Sequence, residues 1–169
     1  VPVQYPMGAE DAFKGVIDLI DEKAYFFDRD NPGDMTEGAI PVEYADAVAK
    51  VRDEMIERIA ENDDAIMAKY LTGEESEPCE LKAALRRAAI ANGAVPIVCG
   101  SALQSLGVQL MLDAVIDYLP SPLDIPAVIG TKPGSEEVIE RRPEVSEPFS
   151  ALAFKIVTDP YVGRLVYFR

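Results

Sequence analysis

Histidine and tryptophan are absent from this 169-residue sequence, and cysteine occurs only twice. Without histidine the chain has no imidazole for general-base catalysis, for metal ligation or for a charge switch near neutral pH. Triads built on histidine are thereby excluded, which leaves carboxylates, hydroxyls and backbone groups for any chemistry. Cys79 and Cys99 flank a helical pattern in neither a metal-ligand nor a redox spacing, so both are read as reduced thiols of a cytosolic protein. No apolar run approaches the roughly 20 residues of a membrane span, and no basic start leads into an apolar segment, so no membrane association is expected. Basic side chains are the other scarcity: 16 Lys and Arg stand against 30 Asp and Glu, for a net charge of −14. That balance disfavours a nonspecific grip on phosphate backbones and favours solubility or a basic protein partner.

What is present is enough for a core, because 49% of the residues are hydrophobic. Val1 to Tyr5, Gly15 to Ile20 and Lys23 to Phe27 read as short strands of a small antiparallel sheet, punctuated by Gly8 and by Asp21-Glu22. Asp28 to Asp34 reads as a loop. It has the Gly at the sixth position of a calcium loop, but Pro32 at the fifth and Ala39 at the twelfth favour simple turn chemistry.

A long helix is expected from about Val42 to Asn62, with Val48, Val51, Met55, Ile56 and Ile59 as its buried stripe. Glu54, Glu57, Arg58 and Glu61 lie on its opposite, polar face. A second, short helix holds Ile66, Met67, Tyr70 and Leu71 and ends at Gly73. A third starts near Ser76, read as N-cap with Pro78 in the first turn, carries the stripe Leu81, Ala84, Leu85 and Ala88, and stops at Asn92-Gly93. The acidic run Glu74, Glu75, Glu77 and Glu80 reads as a solvated helix start favoured by the helix dipole.

Val95 to Cys99 is apolar without alternation, as in a strand buried on both faces of a mostly parallel sheet. Gly100 ends it. Val108, Met111, Leu112, Val115, Ile116 and Leu119 then fall at i, i+3, i+4, i+7, i+8 and i+11, which predicts an amphipathic helix. A strand, a turn at Ser101-Ala102 and such a helix form an α/β unit whose loop lies where these sheets bind ligands. The same pattern also fits an ordinary strand-to-helix turn. Pro120, Pro122 and Pro126 end the helix and force an extended path, and from Ser146 two strands follow: Phe149 to Val157, with Leu152, Phe154 and Ile156 on one face, and Arg164 to Arg169.

Several stretches resemble the bacterial elongation factor G family of translational GTPases. They are Pro6-Met7-Gly8-Ala9-Glu10-Asp11 with Gly15-Val16-Ile17-Asp18-Leu19, Met67-Ala68-Lys69-Tyr70-Leu71, and Gly107 through Val115. The run Asp117 to Pro126 continues the likeness, as do Ala151 to Ile156 and Asp159-Pro160-Tyr161-Val162-Gly163-Arg164-Leu165. The resemblance covers essentially the whole chain in family order.

It implies an α+β to α/β fold: the rear of a P-loop GTPase domain with its inserted α+β subdomain, then the opening hairpin of a β-barrel domain. Residues 1–93 would be the inserted subdomain, 94–120 the last strand and helix of the GTPase domain, 121–148 a linker and 149–169 the start of the second domain. Ser101, Ala102 and Leu103 match the family's guanine-side loop, whose small residues let backbone N–H groups approach the base. The polar face with Glu54, Glu57, Arg58 and Glu61 would be the place to look for contact with the stalk protein of the large ribosomal subunit.

No phosphate loop of the form Gly-x-x-x-x-Gly-Lys-(Ser/Thr), no Asp-x-x-Gly switch and no Asn-Lys-x-Asp base reader occurs in the sequence. The start at Val1 and the stop at Arg169 inside a strand-like run read as cuts from a longer protein. The resemblance therefore implies GTP or GDP with Mg²⁺ in the full-length protein and none on this segment, which would hold no catalytic residue and no metal site. Its implied partners are the ribosome and, through the parent protein, ribosomal RNA, in the cytoplasm. Strands 149–169 without barrel partners would favour self-association. Two other readings stay open: an acidic interaction module with no nucleotide role, and the equivalent segment of a related ribosome-protection GTPase.

Overall fold

A computed structural model describes every residue except Pro32 and Pro133. The chain divides into two compact units, Val1–Leu119 and Pro120–Arg169. The protein is a mixed α+β chain with four α-helices and antiparallel sheets, and among the described residues no helix is long and apolar enough to cross a membrane.

The first unit opens with a four-stranded antiparallel meander in the order β1 (Gln4–Met7), β2 (Gly15–Asp18), β3 (Lys23–Phe27) and β4 (Met35–Gly38). Register is set by the pairs Gln4 with Asp18, Val16 with Tyr25, and Phe27 with Met35. The β2–β3 turn is fixed by Asp18, whose Oδ1 accepts hydrogen bonds from the amides of Ile20 and Asp21, each at 2.8 Å. Glu22 then takes a left-handed φ of 54°. β4 is not foreshadowed by the sequence, because Met-Thr-Glu-Gly has a single large apolar residue and is held by pairing to β3 rather than by an apolar face. β1 also begins three residues later and ends two residues later than the Val1–Tyr5 reading places it.

Helices α1 (Ala45–Ala60), α2 (Asp64–Thr72), α3 (Pro78–Ile90) and α4 (Val108–Tyr118) cover this sheet. The core joins Met7, Ile17, Leu19, Ile20 and Ala24 from the sheet region to Val48, Met55 and Ile59 of α1, Ile66 of α2, and Leu81, Ala84 and Leu85 of α3. The stripes expected for α1 and α3 are thus the buried ones, with Val51 and Ile56 half-buried at the edge. In α2 Leu71 is exposed.

Asp63 caps α2 by accepting from the amides of Ala65 and Ile66, and Gly73 closes it at φ 71°. The N-cap of α3 is Glu77, not Ser76: Glu77 and Glu80 form a reciprocal capping box around Pro78. The Glu80 carboxylate takes the Glu77 amide at 2.9 Å, in the first turn where the helix dipole favours negative charge. Glu80 also holds Lys69 Nζ at 2.7 Å, which ties α2 to α3. Beyond α3, Asn92 is left-handed at φ 58°, in line with the expected stop.

Two expectations fail here. Residues 95–99 form no strand buried on both faces; they make one parallel bridge, Pro2 to Ile97, and Val95 is 73% exposed. Among the described residues the segment has a backbone-paired neighbour on one edge only, Val1–Val3, so its apolar residues are not enclosed. In α4 the helix is present but the buried face is different. Leu110 and Tyr118 are buried, with Ala114 packed between them on the core, whereas Met111, Leu112, Val115 and Ile116 are exposed. The sequence of α4 is apolar nearly all round, so periodicity offers two stripes and the partner surface chooses between them.

The second unit holds two hairpins, β5 (Val128–Thr131) with β6 (Val138–Arg141), and β7 (Ala153–Asp159) with β8 (Gly163–Phe168). Asp159 fixes the second turn by accepting from the amides of Tyr161 and Val162, both at 2.8 Å. The stretch read as a linker therefore carries a hairpin of its own. Leu152, Phe154 and Ile156 are exposed.

Candidate functional site

The segment leading to Ser101 is held by backbone. Val3 N–H donates to Ile97 O at 3.0 Å and Ile97 N–H donates to Val1 O at 2.9 Å, in parallel register, while the Val1 ammonium donates to Val95 O at 2.8 Å. Cys99 N–H then donates to the side-chain oxygen of Gln4 at 3.0 Å. Burial pushes the Cys99 thiol above its ordinary pKa, so it is not an activated nucleophile.

The loop itself closes on two glycines. A Cβ on Gly100 would stand 2.9 Å from Leu106 O, and one on Gly107 would stand 3.1 Å from both Cys99 O and the Phe27 ring. Gly107 also needs φ 77°, which glycine adopts without strain. Between these feet Ser101 and Leu106 exchange two hydrogen bonds, Ser101 N–H to Leu106 O at 2.9 Å and Leu106 N–H to Ser101 O at 3.0 Å. Ala102–Gln104 makes a 3₁₀ turn across the top, and Ser105 returns the chain at φ 56°.

The turn faces outward. Leu103 is 98% exposed, and among the described residues the amides of Ala102 and Leu103 meet no acceptor, as expected for the first residues of a helical turn. The base of the loop is packed by contrast. Leu106 is 2% exposed and packs with Phe13, Val16 and Leu110, flanked by Phe27 and Met35. Phe13 and Phe27 meet at a tilt, 5.6 Å between ring centres. Gln109 on α4 donates to Gly33 O, so the 28–34 loop is tied to the same region. The loop can thus offer two adjacent N–H donors to an acceptor in the plane of a flat ligand, and the methyl of Ala102 leaves room for close approach.

The three loop residues expected from sequence lie together. Glu54, Glu57, Arg58 and Glu61 are exposed on α1, where Arg58 Nη1 bonds both Glu61 oxygens at 3.2 Å. Sequence reasoning misses Gln4, Leu106 and Gly107. A lone amide in the apolar run Val1-Pro2-Val3-Gln4-Tyr5 is the available signal for Gln4; Leu106 and Gly107 have none short of the fold.

Part of the calcium-like stretch, Pro32, lies outside the described residues. Asp28 accepts from the amides of Asp30 and Asn31 and from Asn31 Nδ2, which lowers its pKa, Asn31's side chain contributing most. These are the bonds of a turn. Among the described residues no group of three His, Cys, Asp or Glu side chains could hold a metal ion.

A meander under four helices, with a parallel-paired segment feeding a glycine-footed loop, defines a small α+β module that presents one turn of backbone donors. No protein-family model matches the sequence. Its fold is similar to part of the crystal structure of a protein from Thermus thermophilus, ttk003000868, at 26% identity and a TM-score of 0.73. The match covers 99% of this chain and 22% of that one, so the chain spans about a fifth of the length of the protein it resembles.

Proposed function

We propose that this chain is a segment of a translational GTPase of the elongation factor G type, in which residues 100–107 form the guanine side of a nucleotide cleft. The observation that carries the reading is the loop: two outward, unclaimed amides at Ala102 and Leu103, held on a glycine-footed stem beside a parallel-paired segment. Such amides recognise the guanine carbonyl oxygen without a side chain, and the small residue at 102 is what that approach requires. The likeness to about a fifth of a longer protein supports the segment reading.

In the full-length protein, GTP or GDP with Mg²⁺ would be bound mainly by phosphate-contacting parts that this sequence does not contain, and the segment alone would hydrolyse nothing. The parent activity would be GTP-driven movement of tRNA and mRNA through the ribosome in the cytoplasm. The segment would add the guanine-side loop and, through Glu54, Glu57, Arg58 and Glu61, a surface for the stalk protein of the large subunit. The equivalent segment of a ribosome-protection GTPase would use the same loop.

Titration of GDP into the longer polypeptide carrying the upstream motifs tests this. Ala102→Trp should weaken GDP at least about tenfold, which is one lost contact of roughly 1.4 kcal/mol. Unchanged affinity would favour the second reading, an acidic interaction module, which draws on the net charge of −14 and the exposed carboxylates of α1.

A further inference from the structure

The pairing between Val1–Val3 and the segment before the loop ends abruptly. Continuation of the parallel ladder beyond Ile97 would have Cys99 N–H donate to Val3 O. Val3 O is instead taken by Leu19 N–H at 3.0 Å, while Val3 N–H still faces Ile97. Val3 therefore turns its donor to one neighbour and its acceptor to the other, and among the described residues no backbone carbonyl takes the Cys99 amide, although Cys99 Sγ lies 3.9 Å from Gln4 O. Gln4 fills that position. Its side chain is buried at 5% exposure, and its oxygen accepts the Cys99 amide at 3.0 Å, so a carboxamide stands in for the missing backbone carbonyl.

We propose that Gln4 is a positioning residue for the 100–107 loop, its side chain supplying the last rung that fixes the stem of the guanine-side turn. This rests on the reading of that loop given above. Cys99 adjoins Gly100, and Gly100 packs against the Leu106 and Gly107 backbone, so a displaced Cys99 moves both feet of the loop together. An apolar side chain of the same length leaves a half-buried amide without a partner and releases the stem.

Amide exchange followed by NMR on the 169-residue chain decides the matter. In the unaltered chain the Cys99 amide should be protected, with a scalar coupling across the hydrogen bond to the Gln4 side-chain carbonyl. An unprotected, uncoupled Cys99 amide overturns the proposal whatever any variant does, including one that fails to fold. In Gln4→Met the Cys99, Ser101 and Leu106 amides should exchange about tenfold faster, the loss of one hydrogen bond, while Ile59 in the core keeps its rate.

Equal exchange at Cys99 and Leu106 in Gln4→Met and the unaltered chain overturns the role. A second arm separates this from the functional reading. In the longer polypeptide, Gln4→Met should speed GDP release about tenfold. A loosened loop with unchanged GDP release sinks the guanine assignment and leaves the Gln4 rung standing.

Discussion

Asp18 illustrates how one residue carries opposing demands. Burial raises its pKa, against the amides of Asp21 and Ile20 and the charge of Lys82, which favour the anion. A carboxyl held above its unfolded pKa binds its proton better in the folded chain. Its contribution to stability is therefore complete below about pH 3.9, the ordinary aspartate value, and declines as pH climbs through the raised folded pKa. Asp63 runs the other way: the bond to Arg87 lowers its pKa, so its contribution is present above the ordinary value and is lost in acid. Asp18→Asn keeps an oxygen for the two amides and removes the desolvated charge. Urea denaturation should show it more stable than the unaltered chain at pH 7, with the difference shrinking towards pH 4; equal stability at pH 7 would contradict the role of burial. Residues of this kind are readable from sequence only in part. The sequence places Asp18 inside a strand to Ile20 with the turn at Asp21-Glu22, whereas the strand ends at Asp18, and its burial depends on helices far along the chain.

At the scale of elements, α4 is the informative case. Its existence was legible from the spacing of apolar residues, and its contact face was not. Leu110 enters the second core cluster and Tyr118 the first, while Ile116 is 74% exposed. Leu110→Ala should then cost about 2–3 kcal/mol in chemical denaturation, and Ile116→Ala less than about 0.5 kcal/mol. The reverse ranking would restore the face expected from periodicity alone. Helices α1 and α3 could be read correctly because each has one apolar and one charged side. The N-cap of α3 falls on Glu77, although Ser76 is the better capping type by preference, and the bond from the Glu77 amide to Glu80 is what places it there.

Across the whole molecule, buried apolar side chains are unevenly distributed: among the described residues all lie between Val3 and Tyr118. The second unit is two hairpins with Phe149, Leu152, Phe154, Ile156 and Phe168 exposed. Isolated hairpins are marginal, and exposed apolar strands recruit other chains. Size-exclusion at two concentrations should show earlier elution at the higher one. A strictly monomeric chain at both would count against the self-association expected for strands 149–169.

The sequence by itself determined the placement of the helices, most turns and the loop at Ser101-Ala102, because helix periodicity, proline, glycine and capping residues act over a few neighbours. Tertiary structure alone decided which stripe of α4 is buried, that residues 95–99 pair on one edge, and that Gln4 completes their ladder. These depend on residues far apart in the chain, and a short-range pattern carries no information about which distant surface it will meet.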